Sequence, residues 1–234
     1  RTINYPGGRI ITEEYDDRDR SNNVKEGATN LASFTFDAGS RITQKTYSNG
    51  NTTSYTYNNN DWVTALSTQP SNVVNFTYTF DDEGNRTSSL KGHNSSHSEK
   101  YSYDAINRII NFKEGILTTG NITTPLTQTQ FTYDGVGNRT TILKDASTTS
   151  YTANNINQYT SIATGSSVAP SYDANGNTLS DGIHSYSYDY ENRLTQVDGG
   201  TTAIYKYDAF GRRIQKVTST LTINYYYNQQ IGRA

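Results

Sequence analysis

Phe131-Thr-Tyr133-Asp134-Gly-Val-Gly137-Asn138-Arg139 and Tyr186-Ser-Tyr188-Asp189-Tyr-Glu-Asn192-Arg193 are two lengths of one phrase, aromatic-x-aromatic-Asp followed by Asn and Arg. Clear further copies are Tyr101-Ser-Tyr103-Asp104-Ala-Ile-Asn107-Arg108 and Tyr205-Lys-Tyr207-Asp208-Ala-Phe-Gly211-Arg212. Worn copies follow the anchors Asp37, Asn58, Asp81, Asn154, Asp173 and Asn228, so that anchors recur at steps of 16 to 30 residues. Internal repetition changes what a motif can mean. A carboxylate that returns in copy after copy is a turn-former before it is a catalyst.

Two aromatics separated by one residue project to the same face of a strand, because side chains alternate with period two. That face is expected to be the buried one. The Asp accepts hydrogen bonds from backbone N–H groups two or three residues on, and the Gly or Asn behind it tolerates the left-handed conformation of a tight turn. After the turn a second strand begins with the Arg, as in Arg193-Leu-Thr-Gln-Val197. Arg stands five residues after Asp81 and Asp134 but four after Asp37, Asp104, Asp189 and Asp208. This predicts two turn types in alternation, one of them carrying an extra residue that bends the sheet. The expected fold is therefore all-β: a repetitive antiparallel β-hairpin meander of about twenty strands, coiling into a spiral sheet or partial shell. Residues 1–234 read as a single array, with degenerate repeats over about 1–33 and clear ones over about 34–228. Lys113–Gln128 reads as an insertion, either a hairpin or a mobile loop.

Composition narrows the function. Net charge is −2 and the 20 basic residues are dispersed along the repeats, which argues against a nucleic-acid interface. No apolar run has the length of a membrane helix, so membrane insertion is not expected. The chain has neither Cys nor Met. That suits an oxidising setting, outside the cell or at its surface. The chain opens on Arg1 and is expected to be part of a longer polypeptide.

Four alternatives to turn chemistry arise. Asp173-x-Asn175-x-Asn177 has calcium-loop spacing, but His184 stands where an EF-hand needs its bidentate Glu. His93 and His97 are four apart, yet Gly92 and Asn94-Ser-Ser96 make that segment a polar loop and no third ligand is near. Repeated Arg residues could form an anion ladder, although stacking on Tyr rings is more economical. Trp62, a flat group at an Arg position, favours stacking. The 20 Tyr residues could present a sugar-binding surface, though core and cross-strand ladders explain most of them. No phosphate loop, nucleophile elbow or HExxH motif occurs. We therefore expect no enzyme, no catalytic residue, no metal and no cofactor. The structural signature comprises Tyr103, Asp104, Arg108, Tyr133, Asp134, Gly137, Arg139, Tyr188, Asp189, Arg193, Tyr207, Asp208, Gly211 and Arg212.

The phrase and its spacing resemble the YD-repeat or Rhs-repeat family from about Phe34 to Asn228. That family includes bacterial Rhs polymorphic toxins, the cocoon-forming subunits of Tc toxins, wall-associated bacterial proteins and teneurins. The resemblance implies a hairpin strip that spirals into a hollow shell, enclosing a toxic C-terminal segment in toxin members and serving adhesion in teneurins. Toxin members close the shell with an Asp-Pro-x-Gly motif, and this sequence has no Asp-Pro dipeptide. Protease residues are therefore not carried over. The expected task is a non-catalytic scaffold that encloses or carries a passenger toxin domain encoded elsewhere in the parent chain. The alternative is an extracellular adhesion module binding a surface glycan or protein. Expected partners are the rest of the parent polypeptide or the passenger. Open edge strands add an expectation of self-association.

Overall fold

The computed structural model describes residues 1–5, 7–70 and 73–227. Within them lie 23 strands and two short 3-10 helices, Ser95–His97 and Asp198–Gly200. Sixteen strands, from Thr2–Asn4 to Ser166–Val168, pair in chain order, each with the next. Ser171–Tyr172 then pairs with Thr178–Ser180, and a five-stranded sheet runs from Tyr186–Tyr188 to Thr222–Asn224. The ladder breaks at Pro170, which has no N–H to donate. The step from Asp173 to Asp189 is also the shortest, and the strands around it have two or three residues. Two compact units, Arg1–Gln130 and Phe131–Ala234, divide the chain.

The hairpins at the anchors are all built on one turn. The anchor's N–H donates to the carbonyl four residues on, and the N–H three residues on donates back, as in Asp104 N to Arg108 O (2.9 Å) and Asn107 N to Asp104 O (3.0 Å). The "longer" phrase makes the identical pair: Asp134 N to Asn138 O (2.9 Å) and Gly137 N to Asp134 O (3.2 Å). The expected alternation of two turn types is therefore incorrect. Asn138, not Arg139, holds the position that Arg108 holds, and Arg139 is the next residue of the strand. Aligning copies by residue type had hidden a constant geometry. The residue three after the anchor has positive φ whether it is Gly84 (90°), Asn107 (63°), Gly137 (99°), Asn192 (59°) or Gly211 (75°). The worn N-terminal stretch makes the same turn at Asp16 and, with Tyr5 in the anchor's place, at Tyr5 (Tyr5 N to Arg9 O, 2.8 Å). The Asn228 anchor lies outside the described residues.

Bulges occur, and at the same place in copies of either length. Phe36 faces Ile42 while Thr35 faces Gln44, which leaves Thr43 as the extra residue, six after its anchor. The same slip recurs in the hairpins anchored at Asp16, Asn58, Asp81, Asp104, Asn154, Asp173, Asp189 and Asp208. A bulge in each of these hairpins adds twist there. Threonines flank it on the outer face: Thr35 and Thr43 (2.9 Å), Thr56 and Thr64 (3.0 Å), and Thr79 and Thr87 (2.8 Å) share hydroxyl hydrogen bonds.

The aromatic face is less buried than expected. Tyr103, Tyr133, Tyr188 and Tyr207 are half-buried. Among the described residues buried apolar side chains are few: Ile11, Ile122, Val197 and Ala203. The rings are covered sideways, by neighbours on the same sheet face, so each keeps part of its surface in contact with solvent. The Lys113–Gln128 insertion is a hairpin, Ile109–Gly115 with Pro125–Tyr133. Its loop folds Ile122 inward to 0% exposure against Gly115, where a Cβ would lie 2.9 Å from the Ile122 methyl.

Candidate functional site

The repeated feature with defined chemistry is the fork at each turn. Oδ1 of Asp104 accepts the N–H groups of Ile106 (3.1 Å) and Arg108 (2.9 Å), and Oδ2 accepts Arg108 Nε (2.6 Å). Asp189 is held alike by Glu191 N, Arg193 N and Arg193 Nε, at 2.9, 3.0 and 2.7 Å. Asp208 is held by Phe210 N, Arg212 N and Arg212 Nε, at 2.9, 3.0 and 2.8 Å. In the Asn copies the amide replaces the guanidinium: Asn138 N (2.8 Å) and Nδ2 (2.9 Å) reach the two oxygens of Asp134. These contacts stabilise the ionised form. The Arg108 backbone N–H and guanidinium depress the Asp104 pKa, the Asn138 side chain depresses that of Asp134, and the Arg20 side chain brings Asp16 to about 2.

The fork then reaches the next hairpin, and here Arg and Asn differ. Arg20 donates to Asp37 O (3.4 Å) and Ser40 Oγ (3.1 Å) while its guanidinium lies 4.4 Å over the Phe36 ring. Arg41 likewise reaches Asn58 O (3.3 Å) and lies 4.7 Å over Tyr57. Arg193 reaches Asp208 O (3.4 Å) over Tyr207, and Arg212 lies over Tyr227. Asn forks instead donate to an Asn in the left-handed position of the next turn: Asn85 to Asn107 (2.8 Å), Asn138 to Asn157 (3.1 Å) and Asn177 to Asn192 (2.8 Å). Where the next turn carries Gly there, the preceding side chain covers it. Trp62 sits over Gly84, and a Cβ on Gly84 would meet the indole at 2.8 Å. Arg193 Nη1 would lie 3.9 Å from a Cβ on Gly211. From Gly84 to Gly211 the left-handed position alternates between Gly and Asn, and the preceding fork bonds to the Asn or packs over the Gly, as at Gly84 and Gly211.

A second tie runs backward and was not anticipated. The Tyr next to the anchor donates its hydroxyl to a carbonyl of the preceding hairpin: Tyr57 to Ile42 O (2.7 Å), Tyr103 to Arg86 O (2.8 Å) and Tyr207 to Leu194 O (2.8 Å). Each acceptor lies five residues after its own anchor, beside the bulge. This gives the signature Tyr a role that Phe cannot fill. Arg139, outside the fork, stacks on Tyr151 (5.2 Å).

The other candidates take ordinary places. The oxygens of Asp173 accept Asn175 N, Asn177 N and Asn177 Nδ2, which makes it another forked anchor. His93 Nδ1 lies 3.0 Å from Asn75 N, and His97 Nδ1 lies 2.6 Å from Glu114 Oε1. Among the described residues no three His, Asp or Glu side chains gather as a metal group, and no helix is long and apolar enough to cross a membrane.

A tandem array of forked, bulged hairpins defines the class of YD-repeat sheets. The family model described as Teneurin YD-shell matches residues 87–233, and the RHS Repeat model matches residues 36–74. The first match covers more than half of the sequence, and the chain belongs to the YD-shell family. The tRNA nuclease WapA of Bacillus subtilis (strain 168) is 41% identical over 107 residues, covering 42% of this chain and 4% of that protein. The tRNA3(Ser)-specific nuclease WapA of Bacillus spizizenii is also 41% identical over 107 residues, again 4% of its length. Among solved structures, the Photorhabdus luminescens Tc holotoxin pore gives a TM-score of 0.68 at 20% identity, covering 92% of this chain and 12% of the matched one. The TcdB2-TccC3-Cdc42 structure gives 0.67 at 19% identity, covering 89% and 12%. These two likenesses concern the fold. The chain spans about 4% of the length of these curated relatives.

Proposed function

We propose that this chain is a non-catalytic wall segment of a YD-repeat shell, and that the shell encloses or carries a toxin passenger encoded elsewhere in the parent polypeptide. The observation that carries this reading is the match to the YD-shell family over residues 87–233. The WapA relatives, named as tRNA nucleases, match over about a hundred residues of proteins more than twenty times longer, which supports a division between repeat array and toxic domain. A non-catalytic role is supported by the anchors themselves. Each described signature carboxylate already accepts backbone and side-chain donors, so it is oriented to hold a turn. The absence of Cys and Met from the sequence supports a parent that works outside the cell or on its surface.

The test is protease protection of the parent polypeptide. The passenger should survive graded protease while the array is intact and be digested once the array is unfolded. Digestion as rapid as that of the passenger expressed alone would overturn the reading, as would a parent with no domain beyond the array.

A further inference from the structure

The ladder of guanidinium caps is interrupted in one place within the unit Arg1–Gln130. Arg20 caps Phe36 and Arg41 caps Tyr57, but the next fork residue is Trp62, and the one after it is Asn85. Asn85 is committed to Asp81 (3.0 Å) and Asn107 (2.8 Å), so no fork side chain covers the Tyr103 ring. Trp62 leans against Phe80 with centroids 5.3 Å apart and an interplanar angle of 46°. A shallow groove of about 500 Å³ results, lined by Trp62, Phe80, Tyr78, Tyr101, Tyr103 and Arg86 among others, with no carboxylate on its wall. Its volume falls in the ~300–1,000 Å³ range of small-ligand sites.

Arg86 is the second observation. Its guanidinium is held between the Tyr78 and Tyr101 rings at 5.3 Å from each. Among the described residues no carboxylate lies within ion-pair distance of it, and its one side-chain hydrogen bond is a long contact to Tyr101 Oη (3.5 Å). The nearby Glu99 carboxylate is engaged by Lys91 Nζ (2.7 Å) and the Tyr101 hydroxyl (2.5 Å). Arg86 therefore offers a preoriented fork of N–H donors to a ligand, in a geometry suited to a carboxylate.

From the two together we infer that this groove binds an acidic pyranose, the uronic-acid unit of an oligosaccharide. A pyranose presents a flat face of C–H bonds that complements the negative face of an aromatic ring. Its carboxylate would meet Arg86, and its hydroxyls the rim. A flexible acidic peptide fits less well, because the apolar wall would have to cover a mobile backbone with no edge N–H groups to pair it.

Trp62 is the only tryptophan in the chain, so its emission reports on the groove directly. The 234-residue chain is titrated with an oligogalacturonate, with a neutral cello-oligosaccharide of equal length, and with an oligoglutamate peptide. A saturable change in Trp62 emission is expected with the oligogalacturonate. Arg86→Gln should weaken it about tenfold, the loss expected of one charge-assisted contact, while Arg139→Gln should leave it unchanged. If Arg86→Gln does not fold, added salt must weaken wild-type binding by screening. No saturable change, equal binding of the neutral sugar, tighter binding of oligoglutamate, or indifference to both Arg86→Gln and salt would each overturn the inference. Such a result would leave the shell reading standing, since that rests on the family match.

Discussion

The hairpins anchored at Asp16 and Asp37 and those anchored at Asp134, Asn154 and Asp173 make the same turn with different forks. In the first group a guanidinium grips its own anchor, crosses to the next turn and covers the next ring. In the second an amide grips its own anchor, as Asn138, Gln158 and Asn177 do, and Asn138 and Asn177 pass their remaining N–H to an Asn of the following turn. The amide of Asn138 cannot cover a ring, and the residue in the ring's place in the next hairpin is Ala153. After Asn85 and Asn177 the next hairpin keeps its ring, Tyr103 and Tyr188, and the amide ties to the Asn of the turn instead. A repeat protein of this kind is stabilised mainly through nearest-neighbour contacts, and the comparison shows where in each repeat those contacts are specified.

Acid should produce the largest effect, because it acts on Asp16, Asp37, Asp104, Asp134, Asp173, Asp189 and Asp208 together. Their folded pKa values lie below the unfolded value of about 3.9. The stability they contribute is therefore complete above that pH and is lost as pH falls through the folded values. Unfolding followed by circular dichroism should set in below about pH 4, where the unfolded carboxylates take up protons. Asp16, brought to about 2 by its Arg20 partner, should be the later group to protonate and Asp134, held by an amide, the earlier. Carboxyl NMR titration giving the reverse order would show that the two forks do not differ as described.

Next comes the left-handed position. Gly84→Ala places a Cβ on the Trp62 ring in a conformation already unfavourable for L-residues, and should cost about 2 kcal/mol. Gly211→Ala has the backbone penalty without the overlap and should cost about 1 kcal/mol. Equal urea midpoints would remove Trp62 from the account.

The outer threonines should matter least. Thr43→Val breaks an exposed hydroxyl pair and retains the β-branch, so a change within about 0.5 kcal/mol is expected. A larger loss would place the outer face among the main stabilising contacts.

The all-β meander was legible because its signals are local: aromatic alternation lies within three residues, and Asp with a left-handed Gly or Asn lies within four. What was misread required a second hairpin to interpret. Arg139 attracted attention by type, yet it is Asn138 four residues after Asp134 that closes the turn, and only the hydrogen bonds distinguish them. The tyrosine hydroxyls were invisible for the same reason, since Tyr103 donates to a carbonyl 17 residues earlier. Trp62 was correctly placed at an Arg position, but its contact with Gly84 depends on how adjacent turns stack. Ile122 looked like one apolar residue in a loose insertion, and nothing in its neighbours announced that the loop would fold it inward.

The matching of fork to following turn is tested most directly by a double-mutant cycle on Asn138 and Asn157. Asn138→Arg should cost about 1 kcal/mol, because the guanidinium meets the Asn157 side chain and the amide bridge is lost. Asn157→Gly removes the acceptor. The double substitution recreates the Arg-over-Gly arrangement of Arg193 and Gly211, and should recover at least about 0.5 kcal/mol relative to the sum of the single changes. Additivity within about 0.3 kcal/mol would mean that the two turns do not sense each other, and would contradict the account.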